Sequence, residues 1–276
     1  MITTPLYIRW DVTPEIIEGL RAPNYYSLLF VTGLILGYFV IRKMFRKENI
    51  KDEVLDKLVM YVVIATIVGA RLGHVFFYDW AYYKNHLNEI PQVWQGGLAS
   101  HGGAIALVIA LILFSKFVSK TPLLWVFDRI VAPTAIAAAC IRLGNLMNSE
   151  IVGHVTDVPW AFEFVHYINE YGLNDPSPRH PTQLYEAIVY LLLFGLLLYM
   201  FWKKEAWKTP GTLFGTFLIV LFGSRFIIEF WKEGQTAFDQ TLTVNTGQWL
   251  SVPFVVAGIA ILIYSKQQAK KNLNAQ

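Results

Sequence analysis

The chain has 276 residues, of which 55% are hydrophobic and only 16% are charged, and its mean hydropathy is +0.42. Soluble domains usually carry about a quarter charged residues, so this composition argues against a soluble protein and favours a bundle of helices in lipid. A formal net charge of +3 is too small to indicate nucleic-acid binding. Cys140 is the only cysteine in the sequence, which excludes an intrachain disulfide and a C-x-x-C metal motif.

Seven apolar stretches are each long enough to cross about 30 Å of hydrocarbon as a helix of about 20 residues. Residues 1–24 precede them and lack a basic region followed by an apolar one, so we expect a segment at the membrane surface and not a cleaved signal peptide. The sequence predicts an all-α integral membrane protein that forms a single polytopic domain over residues 1–276. The predicted spans are Tyr25–Arg42, Leu58–Tyr78, Ala99–Val118, Leu123–Met147, Thr182–Trp202, Gly211–Phe230 and Gly247–Ser265.

The distribution of Lys and Arg predicts the orientation of these spans. With the N-terminus outside, fifteen of the 23 Lys and Arg residues fall on the cytoplasmic side, five on the outer side and three within spans. A shift by one span would reverse this bias. We therefore expect the C-terminus in the cytoplasm. The long loop at 148–181, between spans four and five, lies outside in this topology, and its length indicates a functional segment.

Three arginines fall inside predicted spans, at Arg71, Arg142 and Arg225. Each costs roughly 2.5–3.5 kcal/mol at a helix centre. All three lie in the outer half of their spans, where a side chain that snorkels to the headgroups is an alternative explanation, above all for Arg71. Gly69 and Gly73, on either side of Arg71, form a small-xxx-small face that favours close packing of a neighbouring helix.

Arg142 opens a polar run at the end of the fourth span, R-L-G-N-L-M-N-S-E-I-V-G. It includes Asn145, Asn148 and Glu150 and ends at Gly153, which gives the backbone extra freedom. So many polar residues at the end of a span favour a site over a simple helix boundary.

Arg225 is followed one helical turn later by Glu229, within S-R-F-I-I-E-F. A carboxylate at i+4 can hold a guanidinium in a fixed direction. A plain intrahelical ion pair that eases insertion into the membrane is the alternative.

Polar residues also mark the start of the third and fifth spans. His101 lies beside Gly102 and Gly103, and an imidazole there could serve as a base near neutral pH. The start of the fifth span, R-H-P-T-Q-L-Y-E, adds the hydrogen-bonding side chains of Gln183, Tyr185 and Glu186.

Polar groups of at least four spans are thus predicted to meet near the outer leaflet. Two guanidinium groups at that depth would bind a lipid phosphate, because guanidinium donates to phosphate oxygens bidentately. The sequence shows no Ser-His-Asp spacing, no H-E-x-x-H helix and no carboxylate-rich loop, so it predicts neither a metal nor a cofactor.

Four motifs resemble, in order and spacing, those of the prolipoprotein diacylglyceryl transferase family. They are H-G-G at 101–103, the Arg142 motif at 142–153, R-H-P-T-Q-L-Y-E at 179–186 and R-F-I-I-E-F at 225–230. Y-Y-S-L-L-F at the start of the first span adds Tyr26. The resemblance covers essentially the whole chain, and the Arg142 motif is its most specific part.

The resemblance implies a multi-pass enzyme of the bacterial cytoplasmic (inner) membrane, with its active site facing the outer leaflet. Such an enzyme would move the diacylglyceryl group of phosphatidylglycerol to the lipobox cysteine thiol of a preprolipoprotein signal peptide. A thioether would form and glycerol phosphate would leave. The family's functional positions fall on Tyr26, His101, Arg142, Asn145, Glu150, Gly153, Arg225 and Glu229.

We expect four catalytic residues. In this hypothesis Arg142 and Arg225 hold the phosphate and stabilise its developing charge, with Glu229 orienting Arg225. His101 accepts the thiol proton, or else binds the lipid headgroup or shapes the glycine-rich segment. The other predicted substrate contacts are Tyr26, Arg71, Gly102, Gly103, Asn145, Asn148, Glu150, Gly153, Gln183, Tyr185 and Glu186.

Two positions depart from the family pattern: Leu221 stands where tyrosine is frequent and Ser224 where glycine is frequent. The loss of a phenol at 221 puts one substrate contact in question and not the reaction. Two other classes of protein remain as alternatives. An anion or lipid transporter would carry polar residues through the whole membrane depth, and a non-catalytic lipid-binding protein would show no turnover.

Overall fold

The computed structural model describes residues 7–17, 19, 23–169, 172–234 and 245–274. The predicted surface segment 1–24 therefore lies partly outside the described residues. Within them the chain is mostly helical. The α-helices are α1 (Tyr25–Lys47), α2 (Asp52–Phe77), α3 (Trp80–Tyr83), α4 (Ser100–Phe114), α5 (Leu123–Met147), α6 (Thr182–Trp202), α7 (Thr212–Ile228) and α8 (Thr246–Asn274).

Six helices of the described chain are long and apolar enough to cross a membrane: α1, α2, α4 with its π-helical continuation Ser115–Ser119, α5, α6 and α8. The protein is therefore an integral membrane protein of the helical type. The predicted sixth span corresponds to α7, which has only 17 residues. At 1.5 Å per residue it is about 26 Å long, slightly less than the hydrocarbon thickness.

Two predicted spans, the fourth and the fifth, coincide with α5 and α6. The first and second helices run further than predicted because their polar ends remain helical. Asp52, the first residue of α2, accepts hydrogen bonds from Arg42 (2.9 Å) and Arg46 (3.2 Å) in the last turns of α1. Hydropathy marks the apolar part of a helix, and the helix itself continues until its backbone is capped or turned.

The chain divides into two compact units, one formed by Ile41–Arg129 and a larger one formed by Met1–Val40 with Ile130–Gln276. The single domain predicted above stays a prediction. In the smaller unit α2 packs closely on α4. A Cβ atom added to Gly73 would lie only 2.6 Å from the Cα of Gly102, so the helices approach where side chains are missing. The prediction of a small-xxx-small packing face is confirmed.

In the larger unit, the first half of α1 packs on α5. A Cβ atom added to Gly33 would lie 2.9 Å from the Cα of Ala137 and 3.0 Å from the Cβ of Cys140, so Cys140 lies in a helix-packing seam. Further along the chain, α7 contacts both α6 and α8. A Cβ atom on Gly215 of α7 would lie 2.9 Å from the carbonyl oxygen of Gly258 on α8.

The larger unit also contains a small sheet that the sequence did not predict. Strand β1 (Ile8–Trp10) pairs in parallel with β2 (Phe162–Phe164), which pairs antiparallel with β3 (Pro178–Arg179). Phe162 and Phe164 are buried in a cluster with Leu146 and Val152. The indole of Trp10 donates to the Leu146 carbonyl (3.0 Å), so the sheet sits against the last turn of α5, where the Arg142 motif lies.

Candidate active site

Arg142 lies in the next-to-last turn of α5, and its side chain is 15% exposed. Its Nε is 2.8 Å from Oε2 of Glu186, and its Nη1 donates to Oδ1 of Asn145 (3.2 Å). The guanidinium also donates to the hydroxyl of Tyr190, one turn beyond Glu186 on α6. Two helices therefore fix both the position and the plane of this guanidinium. The predicted roles of Arg142, Asn145 and Glu186 involve three side chains that do lie together.

The loop after Arg142 is strained and held from several sides. Ser149 and Ile151 adopt positive φ angles of 51° and 59°. For a β-branched residue such as Ile151 this conformation is an outlier that costs about 1–3 kcal/mol. The first turn of α6 stabilises it, since Thr182 Oγ1 donates to the Ile151 carbonyl (3.0 Å) and Gln183 Nε2 to the Glu150 carbonyl (2.6 Å). Strain of this kind, held by surrounding contacts, is typical of functional sites.

The strained loop presents the carboxylate of Glu150. Its Oε1 accepts hydrogen bonds from Asn145 Nδ2 (2.8 Å) and Asn148 Nδ2 (3.2 Å). Asn145 thus links Glu150 to Arg142. Tyr26 of α1 lies near both charges and packs on Gly144, where an added Cβ would be 2.8 Å from its ring. Tyr26, Arg142, Asn145, Asn148 and Glu150 form one cluster, as their predicted role in one site requires.

Gly153 closes the loop by a close backbone contact. It pairs with Lys232 in an antiparallel bridge and donates its N–H to the His180 carbonyl (2.9 Å). A Cβ atom at 153 would lie 2.5 Å from the Trp231 carbonyl oxygen and 2.7 Å from the Cβ of His180. Glycine is therefore required for packing, and its role is to bring the segment after α7 against the Arg142 loop.

Glu229 and Arg225 do not form the expected pair. Among the ion pairs of the described residues, Glu229 is matched with Lys232, with Oε2 and Nζ 3.7 Å apart. No ion pair joins Glu229 to Arg225 among the described residues, and the orienting role of Glu229 stays a prediction. α7 ends at Ile228, which leaves Glu229 outside the regular helix and close to Lys232 in the following segment.

Arg225 is partly exposed, and no hydrogen bond or ion pair holds its guanidinium among the residues the structure describes. It lies close enough to Tyr190 and Lys232 to act on both electrostatically. Arg142 is thus a tightly held cation and Arg225 a nearby one with free donors. This is a combination suited to binding an anion.

Lys232 was not predicted as a site residue. It is one of the five Lys and Arg residues predicted on the outer side, but its side chain is only 2% exposed. Its Nζ lies 3.8 Å from Oε1 of Glu186 and 3.7 Å from Oε2 of Glu229. The only signal in the sequence was its spacing of three residues after Glu229. Tyr190 was also missed, although helical periodicity places it one turn after Glu186.

Tyr185, another predicted contact, lies at the edge of this cluster. Its hydroxyl accepts a hydrogen bond from the Trp160 indole (2.8 Å) and lies 3.1 Å from Nδ1 of His180. Burial, and then the neighbouring His154, hold the pKa of His180 below its usual value, so the imidazole is the neutral form at neutral pH. Tyr185 thus ties the outer loop to α6.

In the smaller unit, the side chain of Arg71 is held by hydrogen bonds within the protein. It is buried, and it donates to the carbonyl oxygens of Ile90 (2.8 Å), Gly96 (2.7 Å) and Glu89 (2.8 Å), with its guanidinium stacked on Tyr83. These bonds fold the segment between α3 and α4 onto α2. The geometry gives no support to a substrate contact through Arg71 or to snorkelling.

The glycines and the histidine of the H-G-G motif have different environments. Gly102 and Gly103 face α2, with the closest approach at Gly102, so their first role is helix packing. His101 is exposed at the second residue of α4, beside a cavity of about 290 Å³ that it lines with His74 and Tyr78. Among the described residues no hydrogen bond holds the His101 imidazole, which leaves both ring nitrogens open to a ligand. Its predicted role in the reaction stays a prediction.

The fold and the cluster around Arg142 define a class of protein: a multi-pass helical membrane protein with a cluster of charged side chains at the end of α5. Among the described residues no group of three or more His, Cys, Asp or Glu side chains is arranged to hold a metal ion. A profile of the family described as prolipoprotein diacylglyceryl transferase matches residues 17–264. The chain belongs to this family.

Individual relatives agree with the family match. The chain is similar to proteins named phosphatidylglycerol–prolipoprotein diacylglyceryl transferase from three organisms. It is 41% identical to that of Chloroherpeton thalassium, with 97% of each chain covered. It is 44% identical to that of Tolumonas auensis over 94% of this chain and 98% of the relative. It is 45% identical to that of Porphyromonas gingivalis over 95% of this chain and 96% of the relative.

Proposed function

We propose that the chain is a transferase that moves the diacylglyceryl group of phosphatidylglycerol to the lipobox cysteine thiol of a preprolipoprotein. The names of the relatives supply the two substrates. The observation that carries the proposal for this chain is the charged cluster in which Glu186 lies between Arg142 and Lys232, Lys232 also faces Glu229, and Arg225 lies near Lys232. A buried cluster of this kind is expensive in a membrane and is kept for function.

The reaction is a displacement at the carbon of the diacylglyceryl group that is bonded to the phosphate oxygen. The cysteine sulfur forms a bond to this carbon while the carbon–oxygen bond to phosphate breaks, and the bonding electrons leave on the phosphate oxygen. The products are a thioether and glycerol phosphate. The thiol must lose its proton, since the thiolate is the nucleophile and a free cysteine has a pKa near 8.5.

Arg142 and Arg225 act on the leaving group. Arg142 is oriented by Glu186, Asn145 and Tyr190 and keeps further N–H donors for phosphate oxygens. Arg225 supplies a second guanidinium, and donors fixed in advance near a developing charge stabilise a transition state effectively. Removal of one such donor typically costs a hundredfold to a thousandfold in turnover, about 2.7–4 kcal/mol.

His101 is the proposed acceptor of the thiol proton. Its support is its exposed position and an imidazole without competing partners among the described residues. A His101→Gln variant separates this role from headgroup binding or shaping of the glycine-rich segment. If His101 is the base, the variant should lose turnover with little change in the KM for phosphatidylglycerol. Near-normal turnover in the variant would remove His101 from the chemistry.

The proposed topology has seven spans, with the N-terminus outside, the C-terminus in the cytoplasm and the active site facing the outer leaflet of the bacterial inner membrane. Two backbone pairings support it. β1 and β2 pair with four candidate spans between them, an even number. Gly153 pairs with Lys232, and α6 and α7 separate them. Since paired segments lie on one side of the membrane, α7 is best explained as a crossing.

Labelling of single cysteines tests this topology. In a Cys140→Ala background, Asp157→Cys in the outer loop should react with a membrane-impermeant maleimide in intact cells. Lys203→Cys after α6 should react only after permeabilisation. Both native side chains are exposed, so either position is open to the reagent. The reverse pattern would refute the orientation.

A direct assay tests the activity. Purified protein in nanodiscs with phosphatidylglycerol is incubated with a lipobox peptide, and mass spectrometry follows the added diacylglyceryl group. The control peptide carries serine in place of its cysteine, and control nanodiscs contain phosphatidylethanolamine. A thioether product only in the complete reaction is expected. A folded protein that yields no thioether would refute the proposal, and anion flux in its place would select the transporter.

A further inference from the structure

Lys232 is held in place by backbone contacts that leave its side chain between two carboxylates. Glu233 N–H donates to the Val152 carbonyl (3.2 Å), and His154 N–H donates to the Trp231 carbonyl (2.8 Å). These two bonds flank the Gly153–Lys232 bridge. The lysine therefore enters the cluster from the segment after α7, and its position depends on the loop that follows Arg142.

The two carboxylates that face Lys232 are incompletely satisfied. Oε1 of Glu186 and Oε2 of Glu229 are buried and have no hydrogen-bond partner among the described residues. Both lie 3.7–3.8 Å from the Lys232 ammonium, too far for a hydrogen bond but close enough for strong attraction at a buried site. An ammonium is a compact charge on a flexible stem, so it can compensate both carboxylates from one position.

Glu186 faces two cations at once. Its Oε2 is 2.8 Å from Arg142 and its Oε1 is 3.8 Å from Lys232. Glu150 is a third carboxylate of the site, linked to Arg142 through Asn145. Without the lysine, Arg142 and Arg225 would therefore face three carboxylates, and the excess negative charge would repel an anionic headgroup. With Lys232 the three cations balance the three carboxylates, so this repulsion is removed.

We propose that Lys232 is a positioning residue for the headgroup. Its ammonium compensates the negative charges of Glu186 and Glu229, so these carboxylates do not cancel the attraction of the two arginines for the phosphate of the lipid. The proposal rests on the proposed function. It assigns Lys232 no contact with the reacting atoms. Burial holds the pKa of Lys232 below its usual range, which is the expected cost of placing an ammonium there.

The test compares kinetic constants of variants in the nanodisc assay. Lys232→Met removes the charge and retains most of the side-chain volume, and we expect the KM for phosphatidylglycerol to rise by about tenfold or more with a smaller change in kcat. Lys232→Arg keeps the charge and should restore most of the affinity. Lys208→Met, at an exposed lysine paired with Glu205, is the matched control and should behave as the wild type.

A double variant distinguishes charge from packing. Lys232→Met with Glu186→Gln removes one charge of each sign, so the KM should recover severalfold relative to Lys232→Met alone. A purely structural lysine would give no such recovery. If Lys232→Met does not fold, as judged by thermal unfolding, Lys232→Gln takes its place in the same comparison.

The outcomes separate this inference from the proposed function. A wild-type protein that forms no thioether refutes the function and the inference together. An active wild type with an unchanged KM in Lys232→Met refutes only the role of Lys232. A raised KM that neither Lys232→Arg nor the double variant lowers also refutes it, because the defect would then not depend on charge.

Discussion

Replacing Gly153 by alanine should disrupt the site without changing any charge. The new Cβ would lie 2.5 Å from the Trp231 carbonyl oxygen, and ordinary contact begins at 3.4 Å, so one backbone must move by about 0.9 Å. Overpacking of this kind usually costs about 1–3 kcal/mol. The displaced segment carries Lys232, and a shift of about 1 Å in a catalytic arrangement can cost a hundredfold in rate.

The assay is diacylglyceryl transfer in nanodiscs, together with the thermal unfolding midpoint. Gly195→Ala in α6 is the matched control, since nothing lies within 4 Å of its added Cβ. In a helix interior that change should stabilise the protein by about 0.5–1 kcal/mol and leave the activity intact. A Gly153→Ala protein with the activity and midpoint of the wild type would show that the loop and the post-α7 segment are not rigidly coupled.

Three further variants test other parts of the structure. Arg71→Met deprives three loop carbonyls of a charged donor, and such hydrogen bonds contribute up to about 1.5–3 kcal/mol each, so the unfolding midpoint should fall while the KM for phosphatidylglycerol stays unchanged; a higher KM in folded protein would restore a substrate role. Gly102→Val should lower the midpoint because its Cβ would lie 2.6 Å from the Cα of Gly73, and an unaltered midpoint would contradict the close packing of α2 on α4. The Ser177 hydroxyl and then the Arg179 guanidinium hold the pKa of Asp175 below its usual 3.8, so its stabilising contribution is complete above that pH and is lost as the pH falls through the lowered pKa. Asp175→Asn should therefore flatten the acid limb of a plot of midpoint against pH, and an identical limb would refute this contribution.

Most of the helices were predictable because their apolar runs reach the length that lipid requires, although α7, with 17 residues, is slightly shorter than that. α5 and α6 match their predicted spans because polar clusters or turns bound the apolar run at both ends. The sheet was not predictable. β1, β2 and β3 have only two or three residues each, too few for an alternating pattern, and their pairing joins distant parts of the chain.

The candidate site was predictable for those residues that lie close together in the sequence. Asn145, Asn148 and Glu150 follow Arg142 within eight residues, and hydrogen bonds join them in the structure. It was not predictable where the partner is chosen by tertiary contact. Glu186 reaches Arg142 from another helix, and Lys232 lies near Glu229 in a segment that pairs with Gly153.

The pairing of β1 with β2 also constrains how the protein is made. Ile8 is synthesised early, and its partner Phe162 appears only after α1, α2, α4 and α5 have been produced. The backbone groups of β1 therefore lack their strand partner while these four helices are made and inserted. Contacts between such distant residues form slowly because the loop they close is long. A chain interrupted between Arg142 and Phe162 therefore contains the arginine but lacks the strand that holds the sheet against the last turn of α5, and it is expected to be inactive.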